Sequence, residues 1–234
     1  MGIKREFSLK IRKTHRYLGV FIGLQFLAWT VSGLYFSWTD LDEIHGDQFR
    51  VESPLEKGLF SNLISFDSIP VQVEKLSLVS IDNQPYYWIN GQVLYHAQTG
   101  ILKKNISEKE AIGIAKQNLI EGLKVDHVEL LKTTDSHHEY RGQKLPAYAI
   151  HYDHPDLLVA YVDAKSGIFK KIRHESWRWF DFLWMGHTMD YAGRDNFNNL
   201  LLRIFSLFGL FTVISGFLLW GTSSPTLRKI LKWQ

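Results

Sequence analysis

YLGVFIGLQFLAWTVSGLYFSW, residues 17–38, runs for 22 residues without a charged side chain. At about 1.5 Å rise per residue such a segment crosses a hydrocarbon core about 30 Å thick. A transmembrane helix is therefore expected over 17–38. A cleaved signal peptide is the rival, because the flank is basic. However, the apolar run exceeds the usual length of a signal core, and SWTDLDEIHGD, with no small-x-small cleavage site, follows it. A second apolar stretch, LLLRIFSLFGLFTVISGFLLW, sets another span at 200–221, with Arg203 near enough to its end to snorkel. Trp38 and Trp220 mark interfaces, in a chain with eight tryptophans.

Working outward, charge orients the spans. Lys4, Arg5, Lys10, Arg12, Lys13 and Arg16 crowd the tail 1–16 against Glu6 alone, and Arg228, Lys229 and Lys232 stand in the tail 222–234 without an acid. The net charge is only +3, so the long middle segment is acidic. Basic tails and an acidic middle place both termini in the cytoplasm and residues 39–199 outside, with the lipid bilayer as partner and no nucleic-acid surface. Cysteine is absent, which excludes disulfides, thiolate metal sites and a Cys nucleophile. No Gly-x-Ser-x-Gly elbow, His-Glu-x-x-His or phosphate loop occurs, so a hydrolase or kinase has no residues to use.

The outer segment contains a repeat. Ala97-Gln98-Thr99-Gly100-Ile101 recurs 67 residues later as Ala164-Lys165-Ser166-Gly167-Ile168, each after a β-rich run. Each copy reads as two strands joined at a turn where glycine takes a positive φ. Before the second copy, Ser107 and Glu110 form a capping-box pattern opening the helix EAIGIAKQNL, followed by strands in VDHVELLKTT, LPAYAIHYDH, LLVAYVDA and GIFKKIRH.

That unit, with Ser-x-x-Glu-Ala, a Tyr-rich strand and Asp163-Ala164-x-Ser166-Gly167, resembles a PepSY domain. The Lys13-to-Gly19 segment before the first span and WRWFDFLWMGH before the second extend the resemblance over nearly the whole chain, to PepSY-associated transmembrane proteins. The expected architecture is α+β: two transmembrane helices flanking tandem PepSY-like helix-plus-antiparallel-sheet units, a degenerate one at 39–104 and a fuller one at 105–174, with an interfacial aromatic helix and linker at 175–199. The resemblance implies an inner-membrane protein with its outer domain in the periplasm.

Ten histidines are present. His137 and His138 fall in a polar loop, and His96, His127 and His174 stand as unsupported singles. A metal site of His151, Asp153 and His154 remains open, although strand alternation sends two of the three to different faces. His15, His45 and His187 lie next to membrane. Helical spacing sets Phe180, Leu183 or Trp184, His187 and Tyr191 on one stripe. Such a helix is either an aromatic anchor with a histidine bonded to nearby backbone, or a ligand-bearing face.

The resemblance supplies the second option, since larger relatives include haem-containing iron–siderophore reductases. It implies haem b held by His187, His45 and His15, and an electron-transfer component of iron reduction or uptake, at most one subunit of a ferric reductase-like oxidoreductase. One span separates inside from outside by about 30 Å. His45 and His187 can thus share a haem iron, whereas His15 needs a homodimer or a membrane redox partner, or is no ligand and lies among Arg12, Lys13 and Arg16 at the headgroups. The small residues Gly19, Gly23, Ser32, Gly33, Gly209, Ser215 and Gly216 fit either close helix packing or room for a flat cofactor. The alternative function is a cofactor-free regulatory or binding module that senses or inhibits an envelope partner such as a peptidase.

Overall fold

A computed structural model describes residues 2–51 and 60–224, so Arg228, Lys229 and Lys232 of the expected C-terminal tail lie outside the described residues. The chain is α+β, with two long apolar helices and two antiparallel sheets, and it divides into a helical unit (1–38 and 181–234) and a sheet-bearing unit (39–180), named the outer unit after the expected orientation.

In the helical unit, α1 (Gly2–Trp38) and α5 (Leu200–Ser223) are the long helices. The windows Leu9–Trp38 and Leu200–Gly221 are long and apolar enough to cross a membrane, and only 11% of each window is buried in the protein. A core helix of a soluble protein would be mostly buried; these present their apolar surface outward. Helix α1 continues to Gly2, so the basic segment read as a tail is helical. Contacts between α1 and α5 run in opposite senses: His15 meets Ser215, while Phe21 stacks on Phe205 at 5.6 Å and meets Phe208 edge-on at 6.3 Å. The expected helix of 175–199 stops early, with α4 spanning Glu175–Thr188. Met189 has φ +53°, and Tyr191 lies beyond the helix end. The carboxylate of Asp190 then accepts from the N–H groups of Gly193 and Asn196, and Asn199 caps α5 by accepting from Leu202 N–H.

The outer unit starts with the short helix α2 (Leu41–His45). Two four-stranded meanders follow: β1 (Leu76–Ile81), β2 (Gln84–Ile89), β3 (Val93–His96) and β4 (Leu102–Lys103), then β5 (Val125–Leu131), β6 (Ala147–Tyr152), β7 (Val159–Asp163) and β8 (Phe169–Arg173). Between them α3 (Glu108–Asn118) opens with the expected capping box, Ser107 accepting from Glu110 N–H while the Glu110 carboxylate accepts from Ser107 N–H. Ala111, Ile114 and Ala115 of α3 share one core with Ile81, Tyr86 and Leu94 of the first sheet and Ile150, Ala160 and Val162 of the second. Among the described residues the first sheet has no long helix of its own, so α3 serves both sheets. This corrects the expectation of two helix-plus-sheet units.

The repeat holds at the level of single hydrogen bonds. Gly100 N–H donates to His96 O and Gly167 N–H to Asp163 O; Ala97 N–H donates to Pro85 O and Ala164 N–H to Pro146 O. Gly100 and Gly167 have φ of +72° and +68°. In the second turn the Asp163 carboxylate accepts from Lys165 and Ser166 N–H; in the first, His96 Nδ1 accepts from Gln98 N–H. An imidazole thus does in the degenerate copy what a carboxylate does in the fuller one.

Candidate functional site

Each end of the α1–α5 pair carries one histidine seated on a Ser-Gly step of the facing helix. His15 of α1 bonds through Nδ1 to Ser215 Oγ at 2.8 Å, and its Cε1 would lie 3.3 Å from a Cβ at Gly216. His187 of α4 bonds through Nδ1 to Ser32 Oγ at 2.8 Å, and its Cε1 would lie 3.8 Å from a Cβ at Gly33. At Gly216 an added Cβ would be tighter than ordinary contact with the imidazole, whereas at Gly33 it would be in ordinary contact.

The serines fix which nitrogen carries the proton. Ser32 Oγ donates to Ala28 O at 2.8 Å and Ser215 Oγ donates to Thr212 O at 2.8 Å. With the single hydroxyl proton directed to a helix carbonyl, each oxygen is left to accept from imidazole Nδ1–H. Nε2 then carries the lone pair, and among the described residues neither His15 nor His187 has a hydrogen bond at Nε2. A histidine held through Nδ1–H with Nε2 open is oriented as a metal ligand commonly is.

The surroundings differ. His187 stands among Trp29, Phe36 and Trp184, the last stacked at 6.4 Å, and Trp29 Nε1–H donates to His187 O at 2.8 Å. Burial pushes the His187 pKa below its ordinary 6.5, which keeps the ring neutral near pH 7. Here the expected aromatic stripe is real up to Trp184 and His187. His15 has no such collar. It is half-buried against α5, while Arg12, Lys13 and Arg16 are exposed. Ser215 also lines an apolar groove of about 410 Å³ between Phe7, Ile11 and Leu18 of α1 and Phe208, Phe211 and Leu218 of α5.

Of the small residues, Gly209 is packing, with a Cβ there 3.1 Å from the Phe26 ring, and Ser32 is buried. At Gly19 and Gly23 a Cβ would meet nothing within 4 Å, so helix packing does not account for them. Gly19 follows His15 by one helical turn.

His45 is the last residue of α2 and exposed, in the outer unit, whereas His187 belongs to the helical unit. Among the described residues no three His, Cys, Asp or Glu side chains converge to hold a metal ion. The trio His151, Asp153 and His154 is not assembled: His154 Nδ1 accepts from Asp156 N–H, its ring meets the Phe49 edge at 5.4 Å, and His151 is instead stacked on His127. His138 caps its turn in the same way through Tyr140 N–H. His174 is buried, with Nε2 donating to Glu43 O and Ile44 O. The Ser-Gly steps, VSG at 31–33 and ISG at 214–216, were legible as small residues, but their function as histidine seats was not.

No protein-family model, curated protein or solved structure matches the chain.

Proposed function

We propose that the chain is a membrane-anchored PepSY-type protein that holds haem b on histidines of its paired helices and carries electrons across or along the bilayer to ferric substrates outside. Two seats, each with an Nδ1–H tied to serine and an Nε2 left open beside an apolar surface, are the observation that carries this reading. The fit to the cofactor is good on two counts. The donor is a neutral imidazole of fixed tautomer, and Gly19 leaves space within one turn of His15 for a flat ring. Bound there, haem b supplies a one-electron couple within a low-dielectric slab. The chain's part is to orient His15 and His187 through Ser215 and Ser32, to keep His187 neutral by burial, and to exclude water with Trp29, Phe36 and Trp184.

The basic ends of the chain support an orientation with both termini in the cytoplasm and the sheets outside. The seats lie at levels 17 residues of α1 apart, His15 against Ser32, or about 26 Å along the helix axis. Each level therefore receives one imidazole from the described helices, and a second copy or a redox subunit completes it.

The test is the visible spectrum of the purified protein after expression with ample haem. A Soret band with reducible α and β bands is expected; its absence ends the haem reading. His45→Ala separates the pairing expected from sequence: loss of the band implicates that residue as a ligand. A second reading rests on the same bonds. Without haem, each Ser–His contact is a polar tie between apolar helices, and the chain is the cofactor-free anchor of a regulatory outer domain.

A further inference from the structure

The two sheets bury their second faces unequally. In the first sheet Tyr87, Ile89 and Tyr95 are covered by Ile64, Ile69 and Val71 of the preceding segment. In the second sheet, Tyr140 and Leu145 of the β5–β6 loop cover only Leu131, Ala147, Ala149, Val159 and Tyr161. That face, with Leu131, Ala149, Val159 and Tyr161 on its wall, opens into a cleft of about 430 Å³ within the outer unit.

Strand alternation sends His127 and Glu129 of β5 into this cleft, and His151 of β6 is the register partner of His127. Their imidazoles stack with centroids 4.2 Å apart and planes 10° from parallel. Asp126 Oδ2 lies 2.7 Å from His127 Nδ1 and sets the tautomer that leaves Nε2 open. Glu139 reaches the cleft from the loop, bonded to Arg178 and accepting from Tyr161 OH. Carboxylates outnumber the Arg178 guanidinium among the lining residues, so the cleft is electronegative. Two imidazoles face to face disfavour protonation, and burial together with His127 holds His151 below its ordinary pKa.

We propose that this cleft binds a borderline first-row divalent ion, with Zn²⁺ as the test ion, through His127 and His151. Cross-strand partners have Cβ atoms about 5 Å apart, within chelating reach of two imidazoles. The His127 side chain is 59% exposed and free to swing from the stack towards a shared ion. Glu129, two residues along the same face and also lining the cleft, supplies a carboxylate for a third position, and water fills the remainder. Imidazole with carboxylate suits Zn²⁺ or Ni²⁺ over Mg²⁺ or Ca²⁺. The site lies in the outer unit and does not depend on the haem reading.

The experiment is isothermal titration of ZnCl₂ into the full chain in detergent, without a histidine tag, at neutral pH. One ion per chain is expected, with affinity weakened at least ~10-fold in His127→Ala and in His151→Ala, and unchanged in His154→Gln, outside the cleft. Zn²⁺ should also raise the melting temperature of the wild type and leave that of the double variant where it was. Zn²⁺ binding that is absent, or that survives in the double variant, overturns the proposal.

Discussion

At one end of α1, His15 lies against Ser215 and Gly216 beside an apolar groove; towards the other, Ser32 and Gly33 receive His187 among Trp29, Phe36 and Trp184. The hydrogen bond is the same in both, so it belongs to the tautomer and not to the neighbourhood. What differs is the enclosure. The His187 seat is flanked by aromatic rings, whereas the His15 seat has nothing beside Gly19 and shares Ser215 with the groove. One imidazole is flanked by aromatic rings, the other borders an apolar groove.

Removing the rings tests this contrast most harshly. His187→Ala and His15→Ala are each expected to abolish haem binding at their own level and leave the other level's spectrum in place; haem-to-protein ratios in the two variants decide it. Next in size, Ser32→Ala and Ser215→Ala remove the acceptor that orders Nδ1–H, and haem affinity should fall ~10- to 100-fold at the matching level, read by haem transfer to apomyoglobin. Equal losses at both levels from one substitution would break the comparison.

The glycines separate the seats more gently. A Cβ at Gly33 stays in ordinary contact with His187 at 3.8 Å, and Gly33→Ala should gain ~0.5–1 kcal/mol of helix stability. At Gly216 the 3.3 Å approach forces His15 aside, so Gly216→Ala should lose about 1 kcal/mol, compared by thermal melts in detergent. The smallest effect is with pH. The His187 pKa is lowered in the folded chain, so the unfolded chain binds more protons below 6.5. The stability His187 contributes is complete above that value and is lost as pH falls towards the folded pKa. Melting midpoints taken from about pH 7.5 to about pH 5 should drop further in the wild type than in His187→Gln.

Much of the fold was legible because its signals are local. Charge-free runs locate α1 and α5, Ser107 with Glu110 marks the start of α3, and the recurring Ala-x-Ser/Thr-Gly turn marks the two sheets. The sharing of α3 was not legible, because a helix with one apolar stripe does not reveal that two sheets will meet it. The same holds for the histidines. His187 showed in its aromatic stripe, but His15 and Ser215 are 200 positions apart, and His127 meets His151 only once the register of β5 with β6 is set. His96, His138 and His154 looked alike in sequence to the candidate histidines, yet each accepts the N–H two residues on and serves its own turn.

The measurement closest to the centre of this account is the haem content per chain of the wild type beside the His15→Ala/His187→Ala double variant, both purified after expression with ample haem. A Soret band is expected in the first and none in the second. A wild type that carries no haem, or a double variant that retains it, would contradict the account.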